Sequence, residues 1–288
     1  MKSNLLIVFV AAYLLTGCTG PIPERHNKEP KVQQPSCSLD DSNSLIKMAE
    51  KKFGKLTEAD KILFNSVAEG NWANYSEGAD KDKPEDANNW GERRTINANR
   101  IEWLCHDKRA KELVYRGIGV TGAKIVGAVD LSFAEVPFPL IFLGCDFNEM
   151  INMQFSKIKF LNMMGSHTGS ILADGVKVED GVFLRDGFNA NGEVRFLGAN
   201  IGQDFDCTNG NFINEDGNAI NAYRMYVKGT VFLKNDFKAN GEVSFLGAAI
   251  GGDFICKNGK FINKNNRAIL ADGIDVKGSV FLGGDGFK

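Results

Sequence analysis

The stretch Gly181-Val182-Phe183-Leu184-Arg185-Asp186-Gly187-Phe188-Asn189-Ala190-Asn191-Gly192-Glu193-Val194-Arg195-Phe196-Leu197-Gly198-Ala199 decides the fold, because the chain writes it twice. Thr230-Val231-Phe232-Leu233 through Gly241-Glu242-Val243-Ser244-Phe245-Leu246-Gly247-Ala248 repeats it 49 residues on. Phe183 falls on Phe232, Glu193 on Glu242 and Cys207 on Cys256, and Val280-Phe281-Leu282 opens a third copy. The repeat divides again: Ala173, Ala199, Ala222, Ala248 and Ala271 are spaced by 26, 23, 26 and 23 residues. The basic unit is therefore about 24.5 residues long and alternates between a Val-Phe-Leu type and a Phe-Asp-Cys or Phe-Ile-Cys type.

A unit this short cannot bury an apolar face by itself, so copies must stack. Each unit holds apolar pieces of two to four residues separated by Gly, Asn or Asp. Alternation within a piece, with Val194 and Phe196 one way and Arg195 the other, has the period of a strand. Asn191-Gly192, Asn209-Gly210, Asn240-Gly241 and Asn258-Gly259 supply the positive φ that corners require. Helical repeats are not expected, because the apolar pieces of each unit are only two to four residues long. The expected fold is mainly β: a parallel β-solenoid over residues 118–288, right-handed by the chirality of crossover connections. Its 171 residues make about seven coils of 24–25 residues, a rod of roughly 33 Å at one strand spacing per coil.

Upstream, residues 42–117 read as an α-helical region that caps the first coil. Thr57-Glu58-Ala59-Asp60 places an N-cap hydroxyl three residues before a carboxylate, and Leu63 and Val67 share a face before Gly70. Ile96–Leu104 and Asp107–Val114 read as a second helical pair, closed by Gly117. Asn71–Arg94 between them is polar and long for a connection.

The first residues carry a separate signal. Met1-Lys2 is a short positive start, Leu5–Leu15 is apolar, and Leu15-Thr16-Gly17-Cys18 follows. The apolar run is too short to span a bilayer core of roughly 30 Å but suits a signal-peptide core. Leu15-Thr16-Gly17-Cys18 resembles the lipobox of bacterial lipoproteins. That resemblance implies a signal peptide over 1–17 and a Cys18 linked to diacylglycerol, freed at its N-side and acylated (palmitate). It also implies a cell-envelope location, at the outer membrane in a host with two membranes, since Thr19 rather than Asp follows the Cys. Residues 18–41 then form a polar tether containing Pro21, Pro23, Pro30 and Pro35. Beyond Cys18 five cysteines remain, an odd number, and Cys37 with Cys105 or Cys145 is the pairing left open.

Ala248-Ala249-Ile250, Ala123-Lys124-Ile125 and Phe245–Ile250 are similar to fragments of the pentapeptide-repeat pattern, whose family forms a four-sided right-handed β-helix. The coil here is about five residues longer and its five-residue phase is often broken. Trp103-Leu104-Cys105, Gly122-Ala123-Lys124-Ile125, Val136-Pro137-Phe138-Pro139-Leu140 and Gly241–Cys256 resemble an uncharacterised group of bacterial membrane-associated repeat proteins. The resemblance covers about residues 95–288 and implies a fold without an activity.

Candidate chemistry is sparse. Cys207 and Cys256 occupy one repeat position about 10 Å apart, beyond disulfide reach, and read as small core residues. Asp204 and Asp253, also two coils apart, read as solvated corner residues, and Asp206 becomes Ile255 in the next copy. Asp285 among Gly283, Gly284 and Gly286 lacks the nine-residue rhythm of calcium-binding repeats. His26 lies in the tether, His106 at a helix start and His167 in a corner, none beside a Ser or Cys nucleophile. Glu193 and Glu242, beside Arg195 and Ser244, form a candidate polar binding stripe, and Asp204 and Asp253 are counted with that candidate binding face. No catalytic, cofactor or metal site is expected.

A net charge of −2 implies no polyanion-binding surface, and no nucleic-acid partner is expected. The expected function is a non-enzymatic, membrane-anchored scaffold or protein-binding module, with self-association through the open coil at residues 267–288. The alternative is a polysaccharide-binding or polysaccharide-active β-helix, which needs aromatic residues clustered with Asp, Lys and Arg along one groove. Most Phe fall at core phases, and the outward positions assigned from sequence show no such cluster.

Overall fold

The computed structural model describes residues 39–78, 81–264 and 267–284, with side chains from Leu45 onward. Cys18, the signal run, the tether as far as Ser38 and Asp285 lie outside them, and residues 39–41, expected in the tether, open the first helix. From residue 73 onward the chain winds as a parallel β-solenoid of about seven turns. Each coil contributes four short strands, one to each of four faces. Face one stacks 118–121, 140–143, 161–162, 182–183, 205–206, 231–232, 254–255 and 280–281. Face two stacks 95–97, 124–126, 146–147, 167–168, 189–191, 211–213, 238–240 and 260–262. Face three runs from 129–130 to 269–270 and face four from 135–136 to 275–276.

Every pairing is parallel, so equivalent residues of successive coils lie one above another. On face four, Val136, Ile158, Val178, Ile201, Val227, Ile250 and Val276 are separated by 22, 20, 23, 26, 23 and 26 residues. The 23/26 alternation read from the sequence therefore governs only the C-terminal half. The earlier coils are tighter, at 20 and 22 residues. The longest coils carry extra residues at the corner between faces two and three, where the register shifts between Ile213 and Asn218.

The inward positions form one continuous core. Phe188, Phe212, Phe237 and Phe261 stack along it with centroid separations of 5.5, 5.4 and 5.1 Å. Cys145, Cys207 and Cys256 also point inward and are fully buried. Burial pushes the Cys105, Cys145 and Cys256 thiols up to about 12 and Cys207 well above its ordinary value. Cys105 and Cys145 are free thiols, and Cys37, the partner left open in the sequence, lies outside the described residues.

Helices α1 (Leu39–Phe53), α2 (Glu58–Glu69), α3 (Ala98–His106) and α4 (Lys108–Glu112) precede most of the ladder. Thr57 and Asp60 form the expected capping box, at 3.0 and 3.1 Å, and Gly70 ends α2 with φ 73°. Leu63, Phe64 and Val67 have no exposed surface and join the core that contains Ile118 and Val120. The region is not wholly helical, however. Ala73–Asn74 pairs with Val120–Thr121, and Thr95–Asn97 pairs with Lys124–Val126. The helix expected from Ile96 begins at Ala98, because Asn97 caps it by accepting from the Asn99 N–H at 3.1 Å. The ladder thus starts inside the segment read as a cap.

The segment 75–94, expected as a connection, is fastened by Arg94, which is buried among polar partners. Its guanidinium donates to the Gly122 carbonyl at 2.8 Å, pairs with Asp82 at 3.0 Å and lies 3.8 Å from the Trp90 ring centroid. Burial pushes the Asp82 carboxyl up. Hydrogen bonds from Ser76 and the Glu77 and Gly78 N–H groups, with the Arg94 charge, outweigh it and hold the carboxyl below its ordinary range.

Candidate functional site

A half-buried strand alternates inward apolar with outward polar residues. Face one breaks that rule over its first coils. Strand Glu135–Leu143 sends Val136, Phe138, Leu140 and Phe142 inward, yet its outward residues include Pro137, Pro139, Ile141 and Leu143. The outward column in register with Ile141 continues as Asn162, Phe183, Asp206, Phe232, Ile255 and Phe281. Phe160 packs edge to face on Phe183 at 5.2 Å, and Trp72, 48% exposed, lies over Gly119.

The Val-Phe-Leu signature therefore has an inside and an outside. Val182 and Leu184 have no exposed surface, as do Val231 and Leu233, while Phe183 and Phe232 between them face outward. Cations sit over both rings: the Arg185 guanidinium is 4.8 Å from the Phe183 centroid and Lys234 Nζ is 4.5 Å from that of Phe232. Asp206, in the coil between, pairs with Arg185 at 2.9 Å. Aromatic residues grouped with Asp, Lys and Arg were the combination not found from the sequence. Period-two phasing of Val-Phe-Leu was the available signal, since flanking Val and Leu cannot both be inward unless Phe is outward.

The residues picked from sequence are divided between two faces. Arg195 lies on face three, where it holds Asp174 bidentately at 2.9 and 2.7 Å. Gln154 donates to the same carboxylate at 2.7 Å, Glu193 lies 3.9 Å from Arg195, and Asn221 donates to Glu193 at 3.1 Å. Glu242, two coils on, pairs with Arg267 at 3.8 Å. The stripe exists, and its groups largely satisfy one another.

Asp204 and Asp253 border face one and are not the solvated residues expected. Asp204 accepts from the Thr230 N–H at 2.8 Å, and Asp253 accepts from the Ser279 N–H at 2.7 Å. The Asp253 N–H donates to Thr230 Oγ1 at 3.2 Å. These carboxylates tie one coil to the next. Gly229 and Gly278 make room, because a Cβ on either would sit 2.2 or 2.3 Å from the carboxylate oxygen.

No family model, curated protein or solved structure matches the chain.

His106 and His167 occupy other places than expected, and His26 lies outside the described residues. His106 ends α3, with Nε2 3.0 Å from the Asp130 carbonyl, and His167 lies within a face-two strand, 3.9 Å from Glu85. Burial pulls the His167 pKa down against the opposing pull of Glu85 and Asp146. Among the described residues no group of three or more His, Cys, Asp or Glu is placed to hold a metal ion.

One further feature escaped the sequence. Phe133 and Phe155 are 74% and 57% exposed, stacked at 5.4 Å, and lie at left-handed φ of 59° and 57°. The left-handed corner costs a non-glycine residue about 1–2 kcal/mol, and the next coil uses Gly175 there.

Proposed function

We propose that the protein is a lipid-anchored, non-enzymatic scaffold of the cell envelope that docks a partner protein on face one. The observation that carries this reading is the apolar outward surface of Trp72, Pro139, Ile141, Leu143, Phe160 and Phe183, on a strand architecture whose outward positions are normally polar. Cys18 supplies the anchor, the residues before Leu39 the tether, and a right-handed winding follows from chirality. The likeness to bacterial membrane-associated, pentapeptide-like repeat proteins agrees with that address. No described helix is long and apolar enough to cross a membrane, and a lipid anchor needs none. Val280, Phe281 and Leu282, at 52, 47 and 60% exposure, offer a second contact through which copies self-associate end to end.

A photo-crosslinking residue tests the docking face in the producing cells. At position 141 it should yield discrete protein adducts, and at position 157 on face four it should not. Cys18→Ala should abolish labelling by a fatty-acid analogue and leave unprocessed precursor. Equal adduct patterns at both positions would remove the docking face, and continued lipid labelling of the Cys18→Ala chain would remove the anchor.

A second reading, a polysaccharide-binding or polysaccharide-active β-helix, is favoured by the outward Phe183 and Phe232 with Arg185, Asp206 and Lys234 around them.

A further inference from the structure

The outward column of face two changes character partway along. Asn189 and Asn211 are neighbours in register, and Asn211 Nδ2 donates to Asn189 Oδ1 at 2.9 Å. The next two rungs, Lys238 and Lys260, are paired in register and exposed. Around the corner on face one, Lys234 and Lys257 are likewise aligned, two residues past the Phe232–Ile255 pair. Like charges placed directly opposite on adjacent strands repel, and no ion pair among the described residues relieves these four. Asp236, the carboxylate in the corner loop, pairs with none of them. The two C-terminal coils therefore replace a stabilising amide ladder with a cluster of opposed cations. The chain's overall charge of −2 averages the cluster out, which is why composition gives no hint of it.

We infer that this corner binds a linear anionic polysaccharide, an inference that rests on the polysaccharide-binding reading. A polymer lying along the rod meets Lys260, Lys238, Asn211 and Asn189 in turn, at about 4.8 Å per coil. The lysines suit carboxylate or phosphate groups, the amides suit hydroxyls, and Phe232 offers an apolar edge beside Lys234. A membrane surface has no use for the amide column that continues the lysines.

The test uses the full chain carrying Cys18→Ser, which removes the lipid attachment point, with Lys238→Asn and Lys260→Asn introduced together. These substitutions extend the Asn189–Asn211 pair by two rungs. Polygalacturonate, neutral dextran and phosphatidylglycerol–phosphatidylcholine vesicles are the probes, with binding followed against salt and unfolding against temperature. Expected is polygalacturonate binding that weakens with salt and falls about tenfold or more in the double variant, while the variant's Tm holds or rises. Lower binding with unchanged or higher stability marks a ligand site, since a structural pair would lose stability. Equal or exclusive binding of dextran would overturn the anionic ligand and leave the polysaccharide reading standing. Vesicle binding without glycan binding would make the corner a membrane contact. Failure of all three probes would remove both ideas.

Discussion

The first and the last described coils carry the same kind of inward residue in opposite surroundings. At the first coils, Ile118 and Val120 are fully buried under the core that Leu63, Phe64 and Val67 of α2 complete. At the last described coil, Val280 and Leu282 repeat Val182 and Leu184 in type and register, yet they are 52 and 60% exposed where their counterparts have no exposure. The difference teaches that burial in a solenoid belongs to the neighbouring coil as much as to the residue. A Val-Phe-Leu piece is core only when something is stacked on both its edges.

Removing the cover at the first end should have the largest effect. Leu63→Ala costs about 2–5 kcal/mol and Phe64→Ala about 3–5 kcal/mol, and the double variant should expose the first rungs and form soluble oligomers. Sedimentation velocity checks this, and a monomer with unaltered thermal unfolding would show that the helices are an ornament on a self-sufficient coil.

The comparison is sharpened within one motif. Leu184→Ala and Leu233→Ala should each cost about 2–5 kcal/mol in urea unfolding, whereas Leu282→Ala should stay within about 0.5 kcal/mol. Equal costs at the three positions would mean that the last coil is covered in solution, as end-to-end association would do.

The smallest effect concerns acid. Asp82 has a folded pKa below its ordinary 3.8, so its contribution is fully present above that value and is lost as pH falls through the folded value. Asp82→Asn should remove part of the stability loss from about pH 5 downward. An acid profile of Asp82→Asn identical to the parent's would show that the fastening around Arg94 adds nothing to stability in acid. Asp275→Asn in the last described coil, whose Lys277 partner at 2.9 Å is exposed, should change stability near neutral pH by less than about 1 kcal/mol.

Much of the architecture was legible because a repeat states its own register. The 49-residue offset aligned Phe183 with Phe232 and Cys207 with Cys256, and the structure places each pair in one column, two coils apart. The capping box at Thr57 and the buried face of Leu63 and Val67 were equally readable, because spacing alone fixes them. The strands at Ala73–Asn74 and Thr95–Asn97 were not. Each is two or three residues long, too short for periodicity, and exists only because Val120 and Ile125 offer an edge to pair with. The candidate stripe was half legible: Glu193 and Arg195 do stand together, but Arg195 is held by Asp174, which lies 21 residues away. Asp204 and Asp253 were misread for the same reason, since their partners Thr230 and Ser279 are each 26 residues on.

By itself, then, the sequence determined that this chain stacks short strands in about seven turns, which residues recur in each column, and where α2 begins and ends. Those properties follow from local sterics and period, which act within a few residues. Only the tertiary structure decided which cations and carboxylates surround the outward Phe, which carboxylates are spent on joining coils, and that Lys238 opposes Lys260. Each of these depends on which residues meet across coils 20 to 26 residues apart, and the lengths of the coils and corners set that register.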